Sequence, residues 1–134
     1  MLSGVEAYLF KTNPMDKISF GKKGEDLAAE YFLEEGYEIL ERNWRFKHIE
    51  IDIIARDKNE LVIAEVKTRA GNSWGEPYTS VDIRKQRALI FAAERYIFSQ
   101  NLDLDVRFDI VSIIIDHGRT VVEHIKEAFH PVAR

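Results

Sequence analysis

Two strand-like segments joined by a short polar turn constrain the fold of this chain more than any other feature of its sequence. Residues 49–56 and 61–68 each alternate between two faces, and the polar residues 57–60 separate them. Period-two alternation on both sides of a polar turn predicts an antiparallel β-hairpin. The residues predicted to share one face of its first strand are Ile49, Ile51, Ile53 and Ala55. A β-sheet is therefore part of the predicted core.

Helical periodicity predicts two helices around this hairpin. The first begins near Ser19, a candidate cap, and ends at Gly36, where a C-terminal cap is expected. The second begins at Ser80 or Asp82 and runs to Gln100. The residues expected on the buried faces are Leu27, Ala28, Tyr31 and Phe32 of the first helix and Ile83, Leu89, Ile90, Ala93, Ile97 and Phe98 of the second.

Three further strands complete the predicted fold. They cover residues 37–46, 105–115 and 120–125, which gives the order αβββαββ. This order predicts an α/β protein with a mixed central β-sheet flanked by helices. Residues 69–79 are rich in Gly, Asn, Ser and Pro and are predicted to form a mobile loop.

Length and composition predict a single domain. The chain has 134 residues, of which 46% are hydrophobic and 31% charged, enough for one hydrophobic core. Residues 1–16 show no clear period and are assigned to a loosely ordered extension, while residues 17–134 form the predicted domain. The extension lacks the features of a signal peptide or membrane span, so we expect a cytoplasmic protein without membrane contact.

The absence of cysteine excludes several kinds of site, and the net charge gives weaker evidence on function. Without cysteine the chain has no disulfides, no cysteine nucleophile and no thiolate zinc site. A formal net charge of -4 argues mildly against a protein that coats nucleic acid. It does not exclude a nuclease, since carboxylates that hold a divalent cation carry positive charge density once the metal is bound.

The hairpin register places charged residues opposite one another. If the turn is symmetric about Lys58 and Asn59, Asp52 lies opposite Glu65 and Glu50 opposite Lys67. Like charges directly across a ladder destabilise it. A divalent cation between Asp52 and Glu65 would reverse the sign of that interaction. The alternative is an exposed Glu50–Lys67 ion pair beside two solvated carboxylates.

Oxygen ligands from Asp52 and Glu65 suit a hard ion, Mg²⁺ or Mn²⁺, better than zinc. Such an ion can activate water and neutralise charge during displacement at a phosphoryl group. Lys67 projects from the same face as Glu65 and can orient that water or stabilise the transition state. The pattern of Asp, twelve residues and Glu-x-Lys therefore indicates metal-assisted phosphodiester chemistry.

These residues belong to a longer pattern that resembles a known family. The pattern consists of Gly21-x-x-Gly24-Glu25-x-x-Ala28, Asn43-Trp44-Arg45, Glu50-Ile51-Asp52, Glu65-Val66-Lys67-Thr68-Arg69 and Ala128-Phe129. It resembles the bacterial YraN-like family, which is itself similar to archaeal Holliday junction resolvases and to the PD-(D/E)xK nuclease superfamily. The resemblance covers about residues 18–130, and the combined spacing is more specific than any single motif.

The resemblance implies a restriction-endonuclease-like core and assigns a role to each site residue. Asp52 and Glu65 match the metal ligands, Lys67 matches the catalytic lysine, and Glu25 matches the acidic residue that completes such sites. From the residues alone, Glu25 is equally well explained as a first-turn glutamate favoured by the helix dipole. Junction resolvases cut two strands symmetrically, so the resemblance also implies a two-fold homodimer.

Basic residues surround the predicted site in the sequence. The candidates for contact with a phosphate backbone are Arg45, Lys47, Arg69, Lys85 and Arg87, with Trp74 or Tyr78 available to stack on an unpaired base. Each basic residue taken alone is better explained as a solvated surface charge. The four histidines lack metal-ligand spacing and receive no catalytic role, and Arg107 and Asp109 are predicted to form a same-face ion pair.

Two functional hypotheses follow from this site. The first is a Mg²⁺- or Mn²⁺-dependent endonuclease that hydrolyses DNA, more readily than RNA, at branched or irregular structure. The second is a non-catalytic nucleic-acid-binding or protein-interaction module that retains the nuclease fold. The acidic net charge and small size favour the second hypothesis, and the set of acidic ligands favours the first.

Overall fold

A computed structural model of the protein describes residues 5–9, 17–71 and 81–131. The elements in chain order are β1 (Val5–Leu9), α1 (Lys17–Glu34), β2 (Glu38–Phe46), β3 (Ile49–Asp57), β4 (Glu60–Ala70), α2 (Ile83–Gln100), β5 (Asp105–Asp116) and β6 (Arg119–Phe129). The α/β order αβββαββ predicted from the sequence is confirmed from α1 onward. The assignment of no regular element to residues 1–16 was wrong for Val5–Leu9, which form the additional strand β1.

The strands form one mixed sheet in the order β1-β6-β5-β4-β3-β2. β4 and β5 are parallel and every other neighbouring pair is antiparallel. Parallel neighbours require a crossover, and α2 lies between β4 and β5 in the chain to provide it. The chain carries no helix within the described ranges that is long and apolar enough to cross a membrane.

The two helices cover separate apolar clusters. Leu27, Ala28, Tyr31 and Phe32 of α1 are buried against one face of the sheet, as predicted. Leu89 and Ala93 of α2, with Ala92 and Tyr96, are buried in the second cluster. Ile83 and Phe98 were predicted to face this core, and that prediction was wrong because they are 49% and 79% exposed.

The ends of both helices agree with the predicted capping chemistry except at one residue. Asp82 caps α2, with its side chain accepting a hydrogen bond from the Lys85 backbone N–H at 2.8 Å. Gly36 follows α1 with a φ of 88°, a left-handed conformation that glycine adopts without strain. Ser19 was predicted to cap α1 but lies inside it, since the helix begins at Lys17.

The predicted hairpin register is confirmed over most of its length. Residues whose numbers sum to 117 are paired from Asp57 with Glu60 to Ile53 with Ala64. Lys58 in the turn has a φ of 55°, as two-residue hairpin turns require. The recorded pairing ends at Ile53 and Ala64, immediately before Asp52.

Strand β3 changes its packing at Asp52. Ile53 and Ala55 pack in the α1 cluster, as members of one face should. Ile51 and Ile49 pack instead in the α2 cluster. The prediction that all four share one face was therefore wrong, because the strict alternation of the strand breaks at the residue that separates the two pairs.

A buried polar network holds the turn end of the hairpin to the sheet. Arg107 is 6% exposed and pairs with Asp57, Glu60 and Asp109 at N–O distances of 3.0–3.2 Å. Asp109 also contacts His124 Nε2 at 2.6 Å. The predicted Arg107–Asp109 ion pair is confirmed, and it forms part of a larger network in which one guanidinium pairs with three carboxylates.

Candidate active site

Asp52 and Glu65 meet where the β3–β4 ladder ends. Asp52 Oδ2 accepts a hydrogen bond of 2.8 Å from the backbone N–H of Val66. The Asp52 side chain therefore accepts the hydrogen bond of a β4 amide that could otherwise bond to the backbone of β3. Glu65 directly precedes Val66 and is 9% exposed. The predicted pair is close in space, held by a side-chain bond instead of a backbone ladder.

The pKa of Asp52 is raised strongly by its surroundings. Burial and the neighbouring charge of Glu65 raise the pKa of Asp52 from 3.8 to about 8, although the Val66 N–H works in the opposite direction. Glu25 adds to the repulsion. Solvated carboxylates on an open sheet face would not show such a shift. The geometry therefore contradicts the alternative in which Asp52 and Glu65 are merely surface charges.

Glu65 is only partly neutralised by its surroundings. Lys85 Nζ of α2 lies 3.4 Å from Glu65 Oε2. The other oxygen, Oε1, is buried and has no hydrogen-bond partner among the residues that the structure describes. A buried carboxylate oxygen without a donor is costly, which is a feature of sites that bind a cation or ligand.

Helix α1 brings Glu25 towards this pair by close packing on β4. A Cβ at Gly24 would lie 1.8 Å from the Thr68 Oγ1 atom, so glycine permits the helix to approach the strand. Asn43 Nδ2 donates a hydrogen bond of 2.7 Å to Glu25 Oε1. Glu25 thus lies within electrostatic range of Asp52, while its own carboxylate is bonded to β2.

Asn43 is a site residue to which sequence reasoning gave no separate role. It has a φ of 52° within β2 and lies next to Arg42, which pairs with Asp26 at 2.7 Å. These two adjacent contacts join α1 to β2 beside Glu25. Asn43 belongs to the family pattern, which is the signal that could have identified it. Neither periodicity nor charge in the sequence predicts its contact with the first helix.

Lys67 lies on the Glu65 face of β4, in a polar row that crosses three strands. Its register partner on β5 is Ser112, whose partner on β6 is Glu123. Ser112 and Glu123 are 1% and 8% exposed. Sequence reasoning missed both residues, although Ser112 interrupts an otherwise apolar run in β5, which is a usable signal.

The predicted pairing of Glu50 with Lys67 was wrong. Glu50 lies beyond the end of the β3–β4 ladder and pairs with Arg45 across β2, with an Nη2–Oε2 distance of 3.1 Å. The ion-pair alternative for Glu50 and Lys67 therefore fails because the two strands separate before they reach these residues.

The predicted basic residues do not all converge. Lys85 contacts Glu65 and lines a cavity of about 350 Å³ beside His48 and Glu50, at the β2–β3 turn. Lys47 lies on that turn, with its Nζ 5.6 Å from the centre of the Phe46 ring. The basic surface therefore extends from the site towards β2.

The remaining predicted contacts lie further along β4 and α2 or outside the described residues. Arg69 is half-buried and shares the β4 face of Glu65, while Arg87 is exposed on α2. Trp74, Tyr78 and most of the predicted loop 69–79 lie outside the described residues. Gln86, next to Lys85 on α2, donates a hydrogen bond to the Val81 carbonyl at 2.8 Å.

The donor set fits a hard divalent ion with two protein carboxylates. In the described part of the chain, no three His, Asp or Glu side chains converge as a complete metal-binding cluster. Mg²⁺ is commonly held by one or two carboxylates with waters and substrate phosphates. Asp52 and the unsatisfied Oε1 of Glu65 meet that requirement, with Glu25 within electrostatic range of Asp52.

Comparison with known proteins places the chain in a family. Residues 24–113 match the model described as "Uncharacterised protein family UPF0102". A UPF0102 protein of Bacteroides thetaiotaomicron is 46% identical over 83% of this chain and 92% of the relative. A UPF0102 protein of Flavobacterium psychrophilum is 44% identical over 82% of this chain and 92% of the relative. One of Chlorobium chlorochromatii is 43% identical over 87% of this chain and 95% of the relative. The resemblance to the YraN-like family is confirmed, and the chain belongs to UPF0102.

Proposed function

We propose that this protein is a divalent-metal-dependent endonuclease that hydrolyses phosphodiester bonds of DNA, with branched or irregular DNA as the expected substrate. The observation that carries the proposal is the Asp52–Glu65 pair, in which burial and the charge of Glu65 raise the pKa of Asp52 and one oxygen of Glu65 lacks a donor among the described residues. Such a pair of carboxylates destabilises the protein when no ligand is bound. It is expected at a site where a bound cation stabilises the pair.

Asp52 and Glu65 would hold Mg²⁺ or Mn²⁺, with Glu25 available to complete the site. A bound ion supplies Lewis-acid stabilisation of the negative charge that develops on the phosphate oxygens. The Val66 N–H fixes the orientation of the Asp52 carboxylate. Lys67, on the same face as Glu65, would stabilise the charge of the transition state or orient the attacking water.

A cleavage assay tests this proposal. Four-way junction, flap and single-stranded DNA are incubated with Mn²⁺ and wild-type protein, Asp52→Asn or Lys67→Met. We expect cleavage by the wild type and loss of at least about a hundredfold in each variant, within the range measured for single electrostatic groups in active sites. Glu50→Gln is the matched control, since Glu50 lies on the same strand but pairs with Arg45.

Cleavage that persists in both variants would show that a contaminant or another site is responsible. If the wild type does not cleave and Mn²⁺ fails to raise its melting temperature, the protein is a non-catalytic module with the same fold. The expected two-fold dimer stays a prediction, and sedimentation of the free protein checks it.

A further inference from the structure

An exposed face of α2 carries arginine and phenylalanine in alternation. We call Arg84, Arg87, Phe91, Arg95 and Phe98 the α2 stripe; their spacings of three and four residues place them along one side of the helix. All five are exposed, Phe91 by 44% and Phe98 by 79%. Large exposed aromatic rings on a helix whose other face is packed in the core mark an interaction surface.

The aromatic rings of this surface are already arranged around cations. The Arg95 guanidinium lies 5.5 Å from the ring centres of both Phe46 and Phe98. The rings of Phe46 and Phe91 are 5.7 Å apart. Lys47 lies over Phe46 from the β2–β3 turn. The stripe therefore continues onto β2 as a platform in which flat rings alternate with positive charge.

We propose that the α2 stripe binds a single-stranded segment of nucleic acid, its bases stacking on Phe91 and Phe98 and its phosphates contacting the arginines. This inference rests on the proposed function and specifies the substrate class. Stacking on aromatic side chains with adjacent cations is how proteins bind single strands independently of sequence. In an intact duplex the base faces are stacked on one another and unavailable, so unpaired DNA is the partner that this chemistry fits.

The position of the stripe connects it to the candidate active site. Its first residue, Arg84, lines the same cavity as Lys85, and Lys85 contacts Glu65. From Lys85 to Phe98 the helix rises roughly 20 Å, which corresponds to about six nucleotides at single-strand spacing. A strand held on the stripe would lead directly into the site.

Charge argues against a second copy of the chain as the occupant. A two-fold interface through this face would bury the three stripe arginines of each copy in one interface. Glu94 is the one acidic residue of α2 that could neutralise them. Burying unpaired arginines destabilises an interface, whereas a phosphate backbone supplies one negative charge per nucleotide.

The test is fluorescence anisotropy of a labelled single strand of about 12 nucleotides and the matching duplex, in EDTA so that metal-dependent cleavage is excluded. For Phe98→Ala we expect a loss of about fivefold to a hundredfold in single-strand affinity with little change for the duplex. For Arg95→Gln we expect the slope of log affinity against log salt to fall by about 0.7.

Matched controls separate the stripe from general surface effects. Leu33 is a 59% exposed apolar residue on α1, so Leu33→Ala should leave the affinity unchanged. Lys126→Gln removes an exposed cation on β6 and should leave the salt slope unchanged. Circular dichroism melting of each variant confirms folding, and truncation of the mostly exposed Phe98 should cost little stability.

The outcomes are distinguishable from failure of the proposed nuclease activity. Asp52→Asn should lose cleavage but keep single-strand binding in EDTA. Unchanged affinity in Phe98→Ala overturns the stripe even if the wild type cleaves DNA. Equal losses for single strand and duplex also overturn it, as does light scattering that shows Phe98→Ala converting a dimer to a monomer with DNA affinity intact.

Discussion

Asp52→Asn should make the metal-free protein more stable, although it removes a predicted ligand. The folded state raises the pKa of Asp52 from 3.8 to about 8, a linkage of roughly 6 kcal/mol at about 1.4 kcal/mol per unit. This is a ceiling, since Glu65 shares the repulsion. Asparagine keeps an acceptor for the Val66 N–H but must bury an amide, so we expect a net gain of about 2 kcal/mol at pH 8.

The pH dependence identifies the cause of the gain. A carboxyl group whose pKa is raised on folding binds more protons in the folded state, so stability falls as pH rises from about 4 to about 8. The gain of Asp52→Asn should therefore be small at pH 4, increase to pH 8 and remain constant above it. Urea denaturation in EDTA at each pH measures the free energy of unfolding.

Mn²⁺ should reverse the order of stability. The wild type gains stability by binding the ion in its folded state, whereas Asp52→Asn has lost a ligand and gains little. Glu50→Gln serves as the control and should show neither effect, because Glu50 is paired with Arg45. A gain that is absent at pH 8, or that is the same at every pH, would show that carboxylate repulsion does not destabilise the metal-free protein.

Three further predictions concern packing and the buried network. Gly24→Ala should cost about 1–3 kcal/mol because its Cβ would meet Thr68, and Thr68→Ala should recover part of that loss in urea denaturation. Arg107→Met should cost about 3–5 kcal/mol and lower the melting temperature, since it removes the guanidinium partner of the buried Asp109 carboxylate; a loss below about 1 kcal/mol contradicts this. Hydrogen bonds from His124 and Arg107 outweigh burial and lower the pKa of Asp109, so its contribution, present above pH 3.8, should be lost as pH falls through the lower value. Acid titration should show a shallower loss of stability in Asp109→Asn than in the wild type.

The elements and the hairpin register could be predicted because local rules decide them. Alternation and the polar turn set the pairing of β3 with β4, and a capping aspartate set the start of α2. The change of face at Asp52 could not be predicted, because it depends on a side-chain bond to the Val66 amide that no periodicity rule contains. For the same reason the end of the ladder, and with it the partner of Glu50, was missed.

Long-range contacts account for the other omissions. Strand β1 pairs with β6 more than a hundred residues away in sequence, and its short segment carries no distinctive period. Asn43 on β2 bonds to Glu25 on α1, a contact between two elements that local sequence rules do not describe. Phe98 fits a helical apolar face in the sequence, yet its ring is 79% exposed, because periodicity alone does not fix where the sheet beneath a helix ends.

The two ends of the β3–β4 hairpin differ in how the negative charge of their carboxylates is balanced, and this difference bears on function. At the turn end, Arg107 supplies an internal cation to Asp57 and Glu60. At the other end, Asp52 and Glu65 repel each other, Lys85 pairs with one Glu65 oxygen only, and the second oxygen has no donor in the described residues. The same sheet evidently can build a buried cation for acidic side chains. The protein does not balance the charge of Asp52 and Glu65 in the same way. This is expected if a cation binds there together with the substrate.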